Sequence, residues 1–313
     1  MATATAARPR RASMTRVERQ RLIAGLLFIS PAIVGFLLFV AYPVVASFYY
    51  SLHRYDVLSP PRWIGLANYT RLITRDETFV KGITNTLYMV LIGLPIHLAF
   101  DLLVALLLNV KIRGMALYRT IFYLPSITPA VVSAVLWLWI FNGQYGLLNA
   151  GLNLFGIPPQ GWLTNPALTK PSLIFMGAWY GGNTIIIMLA GLQDVPQELY
   201  EAAELDGAGV FAKTFYVTLP MISSVIFYTL IIGMIGYFQF FTEAWVLTAT
   251  REGAAGGPAE SLMFYAMYLY QNAFIFFKMG YASAMAWILF LIILGATVLL
   301  FRTSGWVYYR SNG

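Results

Sequence analysis

Glu201-Ala202-Ala203-Glu204-Leu205-Asp206-Gly207-Ala208-Gly209-Val210-Phe211-Ala212-Lys213-Thr214-Phe215-Tyr216-Val217-Thr218-Leu219-Pro220 is a water-compatible interlude between two long apolar runs, and it holds the chain's densest cluster of acids. Its chemistry predicts a short helix, a break, a second short helix and then a membrane helix. Asp194 with Gln197 three residues on has the form of a capping box, and Glu198 and Glu201 fall near the positive end of the first helix. Ala202, Ala203, Glu204 and Leu205 favour helix, while Gly207 and Gly209 end it. Thr218 ahead of Pro220 is a start signal for the helix that follows. Two roles fit such a segment: a helix lying on lipid headgroups, or a surface that docks another protein. Headgroup docking favours Lys and Arg on the polar face, and here Lys213 stands against Glu198, Glu201, Glu204 and Asp206. Docking to the basic residues of a partner protein is the stronger reading.

The rest of the chain is apolar enough to place that interlude at a membrane. Of 313 residues, 59% are hydrophobic and 11% charged, and the mean hydropathy is +0.70, far from the balance of a soluble domain. A net charge of +7 would suggest nucleic acid in a soluble protein. Here Arg8, Arg10, Arg11, Arg16, Arg19 and Arg21 precede the first apolar run and read as a cytoplasmic anchor, so no nucleic-acid partner is expected. Without cysteine, disulfides, thiol catalysis and iron–sulfur clusters are excluded.

Six apolar runs, at about 22–50, 84–110, 116–141, 172–192, 219–247 and 281–302, are each long enough to span a bilayer. They predict an all-α polytopic membrane protein. Its parts are a cytoplasmic tail over about 1–21, a transmembrane domain over 22–303 with a loop at 194–218, and a cytoplasmic tail over 304–313. Pro31 and Pro43 bend span one or mark its ends, and Pro125 and Pro129 distort span three. Lys111, Arg113 and Arg119 mark a cytoplasmic turn between spans two and three. With the N-terminus inside, the acidic loop also lies inside.

Span two carries His97 and Asp101, four apart on one helix face and within reach of each other. An intramembrane acid is a functional candidate. With no relay partner beside it, a structural role is preferred here. In span four, Met176, Trp179, Tyr180 and Asn183 fall at i, i+3, i+4 and i+7. Gly233, Gly236, Tyr237 and Phe240 repeat that spacing in span five. Aromatic faces with a few polar groups suit a sugar ring, whose C–H faces stack and whose hydroxyls need partners. Small residues and aromatics also make helix interfaces, so a solute path and plain packing both fit the stripes. Glu243, near the outer end of span five, is read as within reach of water.

Glu201-Ala202-Ala203, Asp206-Gly207-Ala208 and Thr218-Leu219-Pro220, at this spacing, resemble the signature loop of the membrane-spanning subunits of bacterial binding-protein-dependent ABC importers. The closest likeness is to the carbohydrate subclass of maltose and glycerol-3-phosphate permeases. Trp63-Ile64-Gly65-Leu66 with Asn68-Tyr69, the Leu-Pro-Ser-Ile-Thr-Pro run before span three's end, and Gly256-Gly257-Pro258 with Tyr268-Leu269-Tyr270 are similar to further segments of that family, Glu252 and its neighbours reading as an insertion.

The resemblance implies the type I ABC importer permease fold, in a bacterial plasma membrane. It implies that Glu201, Ala202, Ala203, Asp206, Gly207, Leu219 and Pro220 couple the chain to a separate ATPase. Partners would be a second permease subunit, two ATPase copies and an extracytoplasmic solute-binding protein. The stripes of spans four and five would line the path of a sugar or sugar-like solute.

A competing reading, an ion-coupled secondary transporter, would use His97, Asp101 or Glu243. No internal repeat supports it. A membrane-embedded transferase or protease lacks its residues. There is no G-x-x-x-x-G-K-[ST] loop and no H-E-x-x-H pair, so the chain is expected to be no enzyme and to hold no metal or cofactor.

Overall fold

The computed structural model describes residues 15–110, 112–249 and 256–308. Arg8, Arg10, Arg11, Lys111, Glu252, residues 253–255 and Arg310 lie outside the described residues. Among the described residues, the regular structure is helical apart from one two-residue antiparallel pairing of His53 with Trp63 and Arg54 with Arg62.

Four helices are long and apolar enough to cross a membrane: Arg16–Ser51, Glu77–Leu108, Ser223–Thr248 and Met279–Arg302. Two bent pairs raise the number to six if each is one span. They are Met115–Ile127 with Ala130–Ile140, at 100°, and Pro166–Tyr180 with Gly182–Gln193, at 54°. Span one begins earlier than its apolar run, at Arg16. Thr15 accepts from the Glu18 amide and Glu18 reaches back to the Thr15 amide, a capping box that makes residues 16–21 helical. The 100° bend falls on Thr128 and Pro129, both in extended backbone, because proline pushes the residue before it out of the helical region.

Proline also explains three of the four wide turns among the described residues, the exception being Gln271–Ile275. The π segments Leu37–Ala41, Met89–Gly93 and Thr214–Thr218 are followed two residues later by Pro43, Pro95 and Pro220. A proline ring lacks the N–H and collides with the carbonyl four residues back, and one extra residue in the turn relieves both.

Glu77–Leu108 is the central helix. Its apolar window is 39% buried, against 22% for Ser223–Thr248, 11% for Met279–Arg302 and 0% for Arg16–Ser51. Around it lie three apolar clusters. One gathers Met89, Trp137, Phe141, Leu173 and Phe264, a second Leu72, Phe79, Leu94, Phe238 and Met285, and a third Val104, Leu108, Ile185, Met188 and Ile222.

Polar side chains lock the loops at one end of the bundle onto this frame, as hydrogen bonds do where apolar burial gives helices little reason to associate. Asp76 caps the central helix through the Phe79 amide at 2.9 Å and also accepts from the hydroxyls of Tyr268 and Tyr281. Asn85 donates to the carbonyls of Glu260 and Met263 and accepts from Lys170 Nζ at 2.7 Å. Asn68 donates to the carbonyls of Ser51 and His53 at 2.8 and 3.0 Å, and Tyr69 donates to Ser51 Oγ. The Asn-aromatic pair therefore closes the C-terminal end of span one.

Candidate solute path and coupling surface

A cavity of about 380 Å³ opens between spans two, four and five. Gly233, Gly236, Tyr237 and Phe240 all line it, so the span-five stripe faces one space. The span-four stripe does not survive. Its i, i+3, i+4, i+7 spacing assumes a continuous helix, and the chain tightens to a 3₁₀ turn over Ala178–Tyr180 before restarting at Gly182. Met176 and Tyr180 line the cavity. Trp179 turns outward to meet the Trp137 ring edge-on at 6.3 Å, and Asn183 is exposed on the far face.

Two residues of span two complete the wall. His97 and Asp101 reach the cavity but do not bond each other, contrary to the expectation from their spacing. The His97 Nε2–H donates to the Ile174 carbonyl at 2.6 Å. That carbonyl lies just ahead of the span-four break, where the Ala178 amide is directed to Met176 instead of four residues back. Asp101 keeps Oδ1 buried with no hydrogen-bond partner. Both side chains lodge against glycines at the same spacing of four. A Cβ on Gly177 would collide with the His97 ring, and one on Gly181 with the Asp101 carboxylate.

The acidic interlude joins the two broken or lined spans directly. Gln197–Leu205 forms its helix, capped by Pro196 without a side-chain bond. Asp194 instead follows the last turn of the preceding helix. The C-terminal end is a Schellman motif, in which the Ala208 amide bonds the Ala203 carbonyl and the Gly207 amide the Glu204 carbonyl, with Gly207 at φ +79°. Thr218 precedes the short helix Leu219–Met221, which has Pro220 in its first turn, but caps it with no side-chain bond. It lies at the end of a π turn and ties the loop together, accepting from Tyr200 and donating to the Lys213 carbonyl. Leu219 packs into the cluster around Ile222, and the Pro220 carbonyl accepts from Ser223.

These contacts sort the loop into a root and a surface. Leu219 belongs to the root, Pro220 beside it is exposed, and Ala203 is half-buried. Glu201, Ala202, Asp206 and Gly207 are exposed. Lys213 engages Glu204 at 2.6 Å, whereas among the described residues no ion pair takes up the carboxylates of Glu198, Glu201 or Asp206. Beside those free acids, Leu205, Val210, Phe211 and Tyr216 stand exposed, Leu205 to 90%.

Residues 101–307 match the family described as "Binding-protein-dependent transport system inner membrane component". The chain belongs to that family, the ABC transporter permeases. The permease is 41% identical over 301 residues to the "Probable ABC transporter permease protein YesP" of Bacillus subtilis (strain 168), covering 95% of this chain and 96% of that one. It is 32% identical over 285 residues to the arabinooligosaccharide permease AraP of the same organism, covering 90% and 88%. Among solved structures, a chain of a bacterial alginate ABC transporter shares its fold at TM-score 0.79 and 23% identity, with 92% of the permease and 96% of that chain covered.

Among the residues that line the cavity, sequence reasoning gave Gly177, Gly181 and Thr184 no role, and it placed Glu243 near water without assigning it to the path. Glu243 had a usable signal, because the stripe of span five continues from Phe240 at the same spacing of three. The glycines had one too, since Gly177 and Gly181 repeat the interval of His97 and Asp101. Reading either required knowing which helices face each other.

Proposed function

We propose that this permease is the transmembrane subunit of an ATP-driven importer for a sugar or sugar-like solute, in the plasma membrane of a bacterium with its N-terminus in the cytoplasm. It works with a second permease subunit, two copies of an ATPase subunit and an extracytoplasmic solute-binding protein. ATP hydrolysis is carried by the separate subunit. The observation that carries this reading is one of connectivity: the loop with the exposed acids and apolar side chains joins spans four and five, and those spans wall the cavity.

A partner that pushes on Glu201, Asp206, Leu205 and Phe211 moves a rigid, Schellman-capped helix. The rooted segment at Leu219 and Ile222 transmits that displacement to both walls. Met176, Tyr180, Gly233, Gly236, Tyr237 and Phe240 present aromatic and backbone surface to the solute. Trp179 and Asn183, facing away from the cavity, belong to the surface that meets the second subunit. Relatives named for arabinooligosaccharides support a saccharide as cargo.

The test is ATPase activity of the assembly, purified with its genetic neighbours into lipid, with and without sugar-loaded binding protein. Stimulation by the loaded binding protein, abolished by Glu201→Lys, is expected. Uptake that needs no ATPase and follows the proton gradient would overturn the reading.

A further inference from the structure

Span five tightens as it passes the cavity. The amides of Gln239 and Phe240 bond the carbonyls of Gly236 and Tyr237, three residues back, and the helix resumes at Thr242. In so tight a turn, side chains three apart fall in line along the helix. Tyr237, Phe240 and Glu243 have that spacing, and all three line the cavity.

The two rings are held in place by this chain's own packing. Tyr237 and Phe240 lie 6.4 Å apart with their planes within 20° of parallel. The wholly buried Phe264 meets Phe240 edge-on at 5.3 Å, and the His97 ring stands 5.6 Å from Tyr237. Beside them Gly236 leaves a gap, since nothing lies within 4 Å of where its Cβ would be. A sugar ring can therefore lay an apolar C–H face on this aromatic surface.

Next in line stands Glu243. The Asp101 carboxyl is packed against Gly181 and sealed on one oxygen, whereas Glu243 is only half-buried and neither of its oxygens is sealed in that way. The two ion pairs among the described residues, Lys81–Glu260 and Lys213–Glu204, do not involve it. A carboxylate offers two acceptor oxygens, and hydrogen bonds to it are charge-assisted. A sugar ring supplies the matching donors as pairs of neighbouring hydroxyls.

We propose that, with the cavity serving as the solute path on which this assignment rests, Glu243 is a specificity-determining residue: its carboxylate accepts hydrogen bonds from two neighbouring hydroxyls of a sugar ring stacked on Phe240. A sugar lacking either hydroxyl leaves one carboxylate oxygen without its donor. Recognition at this position therefore turns on the hydroxyl pair as well as on the apolar face.

The binding protein makes its own selection, so the test bypasses it. Equilibrium binding of radiolabelled diglucose, digalactose and diarabinose is measured on the detergent-purified full assembly without binding protein. At least one is expected to bind. Glu243→Leu should weaken that sugar by about 10–100-fold, the range for hydrogen bonds to a charged group. Glu243→Gln, which keeps one acceptor oxygen, should weaken it less, and being nearly isosteric it carries the same comparison if the leucine variant melts below the wild-type temperature. Two monodeoxy analogues of the sugar, at neighbouring positions, should bind the wild type more weakly than the parent does. They should bind Glu243→Leu as tightly as the parent, because the contact they lack is already gone.

Unchanged binding of the parent sugar by Glu243→Leu would overturn the proposal. So would a leucine variant that discriminates the deoxy sugars as sharply as the wild type does. Loss of the second permease subunit from the variant assembly would also overturn it, by showing that Glu243 meets that subunit instead of the solute. An assembly whose ATPase answers to loaded binding protein while no disaccharide binds would overturn it as well. Loss of that ATPase response in the wild-type assembly would instead bring down the importer reading on which the proposal rests.

Discussion

At the scale of the residue, the contact that shapes the cavity is a polar pair seated on a glycine pair. Asp101 meets Gly181 and His97 meets Gly177 because a hydrogen in place of a methyl lets span four approach span two. Gly181→Ala forces its Cβ into a buried carboxylate that has no room to yield, an overpacking worth about 1–3 kcal/mol. A lower melting temperature in detergent is expected. Gly236→Ala is the control, since nothing lies within 4 Å of its added Cβ although the residue lines the same cavity. It should melt as wild type does and still reduce sugar uptake. Asn68→Ala leaves two carbonyls, of Ser51 and His53, without their donor. The expected loss is about 1–3 kcal/mol of stability, read as a lowered unfolding midpoint.

At the scale of the element, the acidic helix is stabilised from its ends and offers its middle. Gly207 at φ +79° holds the Schellman turn, and alanine there costs about 1 kcal/mol. Gly207→Ala should speed amide exchange at Gly207 and Ala208 about fivefold, leaving the spans unaffected. The Lys213–Glu204 ion pair, half open to water, contributes about 0–1 kcal/mol, so Lys213→Ala should leave the melting temperature nearly unchanged. Phe211 is exposed and supports no packing within the chain. Phe211→Asp should therefore preserve stability and yet reduce co-purification of the ATPase subunit. Equal recovery of that subunit would show that docking does not use this side chain.

At the scale of the whole molecule, the disposition of loops across the membrane is open to direct labelling, because the chain has no cysteine to remove. Leu58 and Leu205 are each 90% exposed, one in the first loop and the other in the acidic loop. Leu58→Cys should react with a membrane-impermeant maleimide in intact cells, and Leu205→Cys only in inverted vesicles. The opposite pattern would reverse the orientation. The flank of Arg16–Ser51 is bare, with none of its apolar window buried, so lipid or another protein surface is what it is suited to meet.

Much of this was legible in the residues. Apolar runs long enough to span, arginines before the first of them and a glutamate-alanine-glycine loop specify helices, a membrane and a family, because those signals depend on local chemistry and spacing. The span-five stripe was equally readable, since Ser223–Phe238 is an unbroken helix and periodicity maps directly onto a face. Span four was not. Its stripe was derived for an intact helix, and the 3₁₀ turn over Ala178–Tyr180 with the 54° break after it leaves Trp179 and Asn183 outside the cavity that Met176 and Tyr180 line. His97 and Asp101 share a helix face, yet each finds its surroundings on another span, across 77 residues of sequence in the case of Ile174. Sequence alone determined which elements exist and which loop carries the exposed acids. Only the tertiary structure decided which side chains share the cavity, because that depends on helix breaks and on glycines meeting bulk across spans.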